Sequence, residues 1–127
     1  MIILDTSALI RFFTKDIPQQ AIKIKTLLES GESVLIPEVV LPEIEYVLEG
    51  KVYNLGRKDV EKALSFLETH RSIQLSKESY TAISIYKETS LDMADCLVVA
   101  SALERKGALA SFDKKLLAYK GVSTYIF

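Results

Sequence analysis

The sequence predicts an α/β fold, three layers deep, with helices on both faces of a five-stranded parallel sheet. Three observations lead there. Five short β-rich runs are spread along the 127 residues. Amphipathic helical patterns separate them, and parallel strands need such crossovers. No internal repeat, low-complexity stretch or linker interrupts the pattern, and the length suits one domain, residues 1–127, with a sizeable core.

Each element has its own signal. "IIL" (2–4) reads as a buried strand, with "SVLI" (33–36) and "SIQL" (72–75) as the second and third. "ALAS" (108–111) and "STYIF" (123–127) complete the set. Residues 18–29 open on Pro18, favoured in a first helical turn, and place Ala21, Ile24, Leu27 and Leu28 on one face. A helix over about 38–49 ends at Gly50, and one over 57–69 carries Val60, Leu64 and Leu67. Helices over 77–88 and 92–106 follow, the last stopped by Gly107 in the C′ position. In such sheets, sites form beyond the carboxyl ends of the strands.

Bulk properties narrow the function. The net charge of −1 argues against coating nucleic acid by bulk electrostatics, but not against an enzyme that grips it through a metal and a few local cations. No apolar run reaches bilayer length, and "MIILDTSALI" lacks a basic flank and cleavage site, so no membrane segment or secretory leader is expected. The single cysteine, Cys96, reads as a buried core thiol, with a reducing cytoplasm as the expected location. The glycines form no phosphate-cradling pattern, and His70, the only histidine, reads as a helix-end residue.

The acids carry the chemistry. Asp5 directly follows the first strand and Asp113 the fourth, though each also suits an N-cap. Asp92 and Asp95 stand three apart at the head of an apolar helix, where Asp92 suits a cap. Asp95 is flanked at helical spacing by Leu91, Val98 and Val99, an apolar surface where an uncompensated charge is costly. Glu43 has Val39, Val40, Tyr46 and Val47 around it and is expected to point toward the core, whereas Glu45 and Glu49 read as solvated. Like charges gathered without interleaved cations destabilise a fold unless neutralised. A hard divalent cation, Mg²⁺ or Mn²⁺, neutralises them and suits oxygen ligands without His or Cys.

At these residues the chain resembles the PIN-domain ribonucleases, and within them the short VapC-type toxins of toxin–antitoxin pairs. "DTSALI" (5–10) resembles the opening acid motif and "PEIEYVL" (42–48) the helix with its single glutamate. "LDMADCLVVASAL" (91–103) resembles the third motif and "SFD" (111–113) the fourth. The resemblance implies a sheet in the order 3-2-1-4-5 and metal-dependent cleavage of single-stranded or looped RNA. It also implies a homodimer and inhibition by a small antitoxin protein whose tail fills the groove. By position, Asp5, Asp95 and Asp113 hold the metal. Glu43 completes the acid pocket, with Asp113, for the attacking water or a second ion. Ser7 and Ser111 hydrogen-bond the carboxylates, Asp92 assists from the helix head, and Arg11 contacts phosphate unless it is merely a solvated helix residue. Lys15, Lys114 and Lys115 are further basic residues near the acids. Two departures bear on substrate contacts: Phe112 where a polar or basic residue is frequent, and Met93 where an aromatic is frequent.

Rival classes fit less well. A receiver-type phosphoacceptor domain needs an acidic pair after strand one, and Thr6 follows Asp5. A haloacid-dehalogenase phosphatase needs Asp-x-Asp, and Ser7 takes the second place. A non-catalytic PIN-like interaction module that has lost an acid is the remaining alternative, although this chain keeps all the acids. Val52, Tyr53 and Leu55 in the 50–56 connection suit a dimer or antitoxin surface, or simply core packing.

Overall fold

The computed structural model describes residues 1–127 and divides them into two compact units, Met1–Ser76 and Lys77–Phe127. In the first unit, β1 (Ile2–Ile3), α1 (Thr6–Thr14), α2 (Pro18–Glu29) and β2 (Val34–Leu35) lead into α3 (Val40–Glu49), α4 (Arg57–Thr69) and β3 (Ile73–Gln74). The three strands pair in parallel in the order β1-β2-β3, with Ile2 opposite Val34 and Val34 opposite Ile73. Helix α1 packs on α2 and α3, and α3 on α4. Leu9, Val34, Ile36, Leu41, Ile44, Leu48, Leu64 and Leu67 are all but inaccessible to solvent. Burying each such side chain contributes about 1.5–3 kcal/mol, so this apolar set holds the helices to the sheet.

The second unit holds α5 (Lys77–Glu88), α6 (Met93–Glu104), β4 (Ala108–Leu109), α7 (Lys114–Leu117) and β5 (Ser123–Thr124). Helices α5 and α6 pack closely, with Ile83, Tyr86, Met93, Cys96, Val99 and Ala100 buried. Cys96 is the buried thiol that the sequence suggests. Strand β4 pairs with β5 in parallel, Leu109 opposite Thr124.

Class, parallel pairing, alternation of elements and the strand neighbours 3-2-1 and 4-5 agree with the sequence expectation, while one continuous five-stranded sheet is not seen. The strands form a set of three and a set of two, and β1 pairs only with β2. Each strand keeps two residues.

The end of α6 also differs. Gly107 is not the left-handed residue; Lys106 takes that conformation at φ 52°. Lys106 N–H donates to Leu103 O and Gly107 N–H to Ala102 O at 2.8 Å, the two bonds of a Schellman motif shifted one residue forward.

Candidate active site

In the first unit the chain leaves β1 at Leu4, which is buried, and turns into α1 at Asp5. Asp5 is the N-cap of α1: its Oδ1 accepts from Ala8 N–H at 3.0 Å and from the Ser7 hydroxyl at 2.8 Å. The Ala8 amide, then the Ser7 hydroxyl, hold this carboxyl below its ordinary value, because both donate to the ionised form. The cap and ligand readings are therefore compatible, since one oxygen serves the helix and Oδ2 remains for another partner. Ser7 does what its position implies.

Glu43 lies in the first turn of α3. It is exposed rather than core-facing, a correction to the expectation drawn from its apolar neighbours. Two of those, Val39 and Tyr46, are 62 % and 81 % exposed, so Glu43 lies on the uncovered side of the helix while Val40 faces the core. Glu45, expected to be solvated, is half-buried, whereas Glu49 is exposed as expected, its carboxyl pushed up by partial desolvation and then by the charge of Glu45. Thr6, which the sequence reading passed over, donates its hydroxyl to Glu43 Oε1 at 2.6 Å. It ties the residue next to Asp5 to the second acid of this unit. Its signal was available: a hydroxyl side chain immediately after the first acid.

Arg11 is not poised over an empty site, nor is it a solvated bystander. Its guanidinium donates to Asp16 Oδ2 at 2.9 Å, to Gln20 Oε1 at 3.2 Å and to the Tyr53 hydroxyl at 3.2 Å. Tyr53 in turn donates to Asp16 Oδ2 at 2.6 Å, which more than any other contact holds Asp16 below the usual carboxylate range. This network joins α1, the start of α2 and the 50–56 connection, so Tyr53 is occupied internally. The stem of Arg11 still lines a cleft of about 450 Å³ with Ser7, Gln20 and Lys23. Lys23 is thus a cation lining the same cleft as Ser7, and one without a signal of its own in the sequence.

In the second unit, Asp92 caps α6, its Oδ1 accepting Asp95 N–H at 2.8 Å. Asp95 sits in the first turn and is half-buried beside buried Leu91 and Val99. Asp113 is exposed, follows β4 and caps α7 through Lys115 N–H at 2.9 Å. Ser111 Oγ accepts Asp113 N–H at 2.9 Å instead of donating to a carboxylate, so the role implied for it is corrected: it shapes the turn that presents Asp113.

Within neither unit do three or more His, Cys, Asp or Glu side chains form a metal cage. The donor chemistry of the candidate acids nonetheless suits a hard cation. All are carboxylates, Asp5 is held ionised, and the lone imidazole of His70 accepts Ser72 N–H and lies against Phe66. No helix is long and apolar enough to cross a membrane.

Compared with known families, the chain matches the one described as PIN domain over residues 2–122, a span that includes every candidate acid and reaches into both units, ending before β5. No curated protein gave a match.

Proposed function

Because the chain belongs to the PIN-domain family, a family of nucleases, we propose that it is a metal-dependent endoribonuclease acting on single-stranded or looped RNA, and the toxin of a type II toxin–antitoxin pair. The observation that carries the reading is the treatment of Asp5, whose carboxylate is kept ionised by Ser7 and Ala8 while Oδ2 stays available. A structural cap alone does not call for a hydroxyl from the very next turn and a neighbour, Thr6, that secures a second acid.

In this reading Asp5, Asp95 and Asp113 hold Mg²⁺ or Mn²⁺, and Glu43 completes the acid set. The cation supplies Lewis acidity at the scissile phosphate and a water of lowered pKa. The protein's own residues do the positioning. Ser7 fixes the rotamer of Asp5, Thr6 aims Glu43 for a proton of the attacking water, and the Asp92 cap holds the first turn of α6 with Asp95 on it. Lys23 and the edge of Arg11 in the neighbouring cleft suit the phosphate backbone. A homodimer, a small antitoxin partner and a cytoplasmic location belong to the same proposal. Exposed Val52, and Leu55 in an apolar cleft that Phe12, Phe13, Leu48 and Phe66 also line, support a protein partner.

The test is cleavage of a mixed RNA pool in Mg²⁺, Mn²⁺ or EDTA, beside Asp5→Asn and Asp95→Asn. Activity confined to the cations and lost in both variants is expected, a fall of at least about 100-fold for removing a transition-state charge stabiliser. Full activity of either variant in Mn²⁺ rejects the assignment, and inertness of the wild type under every condition favours the interaction module.

A further inference from the structure

The parallel register of β4 and β5 places Leu109 opposite Thr124, and Tyr125 N–H donates to Leu109 O at 2.8 Å. Continued for three residues, that register sets Phe112 opposite Phe127. The two rings do meet, with centroids 4.7 Å apart and planes inclined by only 19°. Tyr125 adds an edge-on contact to Phe127 at 5.3 Å. Yet the cluster is not core: Phe112 is 85 % exposed, Phe127 73 % and Tyr125 57 %. Large aromatic surface left open to water is unfavourable in an unliganded protein and marks a binding surface. Its surroundings indicate which ligand. Phe112 stands between Ser111 and the acid Asp113, and Lys114 and Lys115 follow at once, both exposed and neither in an ion pair. Open ring faces beside unpaired cations are the combination that binds single-stranded nucleic acid, with bases on the rings and phosphates on the lysines.

We propose that Phe112, backed by Phe127, is a stacking platform for an unpaired nucleobase of the RNA next to the Asp113 acid. This rests on the ribonuclease reading and deepens it, since a platform that takes an open base face admits single strands and loops but not a closed duplex. It also gives a role to Phe112, one of the two residues that depart from the family pattern.

The experiment is a fluorescence titration, in EDTA so that nothing is cut, of the full chain against a short single-stranded RNA carrying 2-aminopurine and against the same RNA closed in a duplex. Wild type should quench the probe in the single strand and leave the duplex unchanged. Phe112→Ala and Phe112→Leu should each weaken binding roughly tenfold or more and abolish quenching, whereas Phe112→Trp should retain both. Phe127→Ala should have the same direction and a smaller size. Unchanged affinity in Phe112→Ala, or a leucine that binds as well as phenylalanine, overturns the platform while leaving cation-dependent cleavage by Asp5 untouched. A shift from dimer to monomer in Phe112→Ala with RNA affinity intact assigns the rings to a second copy of the chain and likewise overturns it. Wild type that neither binds nor cleaves RNA fails the ribonuclease reading, and the platform with it.

Discussion

Asp5 answers to two demands, and substitutions separate them. As an N-cap it satisfies Ala8 N–H, so Asp5→Ala should cost about 1 kcal/mol of stability. Asp5→Asn keeps an oxygen in the same place but loses the charge, so at neutral pH its urea midpoint should lie below that of wild type and above that of Asp5→Ala. The pH dependence then tells whether the charge matters. The folded carboxyl is depressed below its ordinary value of 3.8, so the stabilisation it brings is complete above that value and is lost as pH falls through it. The midpoint difference between wild type and Asp5→Asn should shrink on acidification below about pH 4. A difference constant from neutral to strongly acid pH would mean that the Ser7 and Ala8 bonds do not favour the ionised form. At this scale the sequence was legible for the cap positions of Asp5 and Asp92 and for the bond from Ser7 to Asp5, which follow from position alone. It misled for Glu43, because apolar neighbours at helical spacing identify a stripe without saying whether anything covers it. Val39 and Tyr46 are uncovered. Arg11 was illegible for another reason: its partners Asp16 and Tyr53 are five and 42 positions away, and only folding makes them neighbours.

Helices were read well where chemistry punctuates them. Pro18 opens α2, Gly56 precedes α4, and both boundaries fall where expected. In the sheet, the neighbours 3-2-1 and 4-5 are those the resemblance implies, and what is not seen is a ladder joining the two sets. Two-residue strands leave few ladder bonds to specify register. The end of α6 is a smaller and more testable case. A glycine at the boundary drew the left-handed assignment, but Lys106 occupies that conformation at φ 52°, which an L residue with a Cβ adopts at a cost of roughly 1–2 kcal/mol. Lys106→Gly should therefore stabilise the protein by up to about 1 kcal/mol after the entropy of the unfolded glycine is counted. Thermal unfolding should shift upward by a few degrees. The Schellman bonds from Lys106 and Gly107 are made by the backbone and survive the change. A fall in melting temperature would show that the lysine side chain contributes more at this helix end than its backbone strain removes.

With a net charge of −1, the molecule as a whole offers RNA no electrostatic attraction, so binding must come from a few placed groups. The candidates are Lys23, in the α1–α2 cleft that Ser7 also lines, and Lys114 and Lys115, which follow Phe112 and Asp113 in the chain. That count has a thermodynamic signature. Each phosphate neutralised on a single strand releases counterions, and log K falls against log salt with a slope of roughly −0.7 per contact. Three contacts give roughly −2, a shallow dependence compared with proteins that coat nucleic acid. Measured in EDTA across a series of potassium chloride concentrations, the wild-type slope should fall near that value. Lys23→Ala should reduce its magnitude by about 0.7, and the joint Lys114→Ala, Lys115→Ala change by about 1.4. Stacking on Phe112 carries no charge, so Phe112→Ala should lower affinity at every salt concentration by a similar factor and leave the slope alone. Lysine substitutions that change neither slope nor affinity would move the phosphate path elsewhere on the surface. A Phe112 effect confined to low salt would mean that its loss disturbs the neighbouring lysines instead of removing a stacked base.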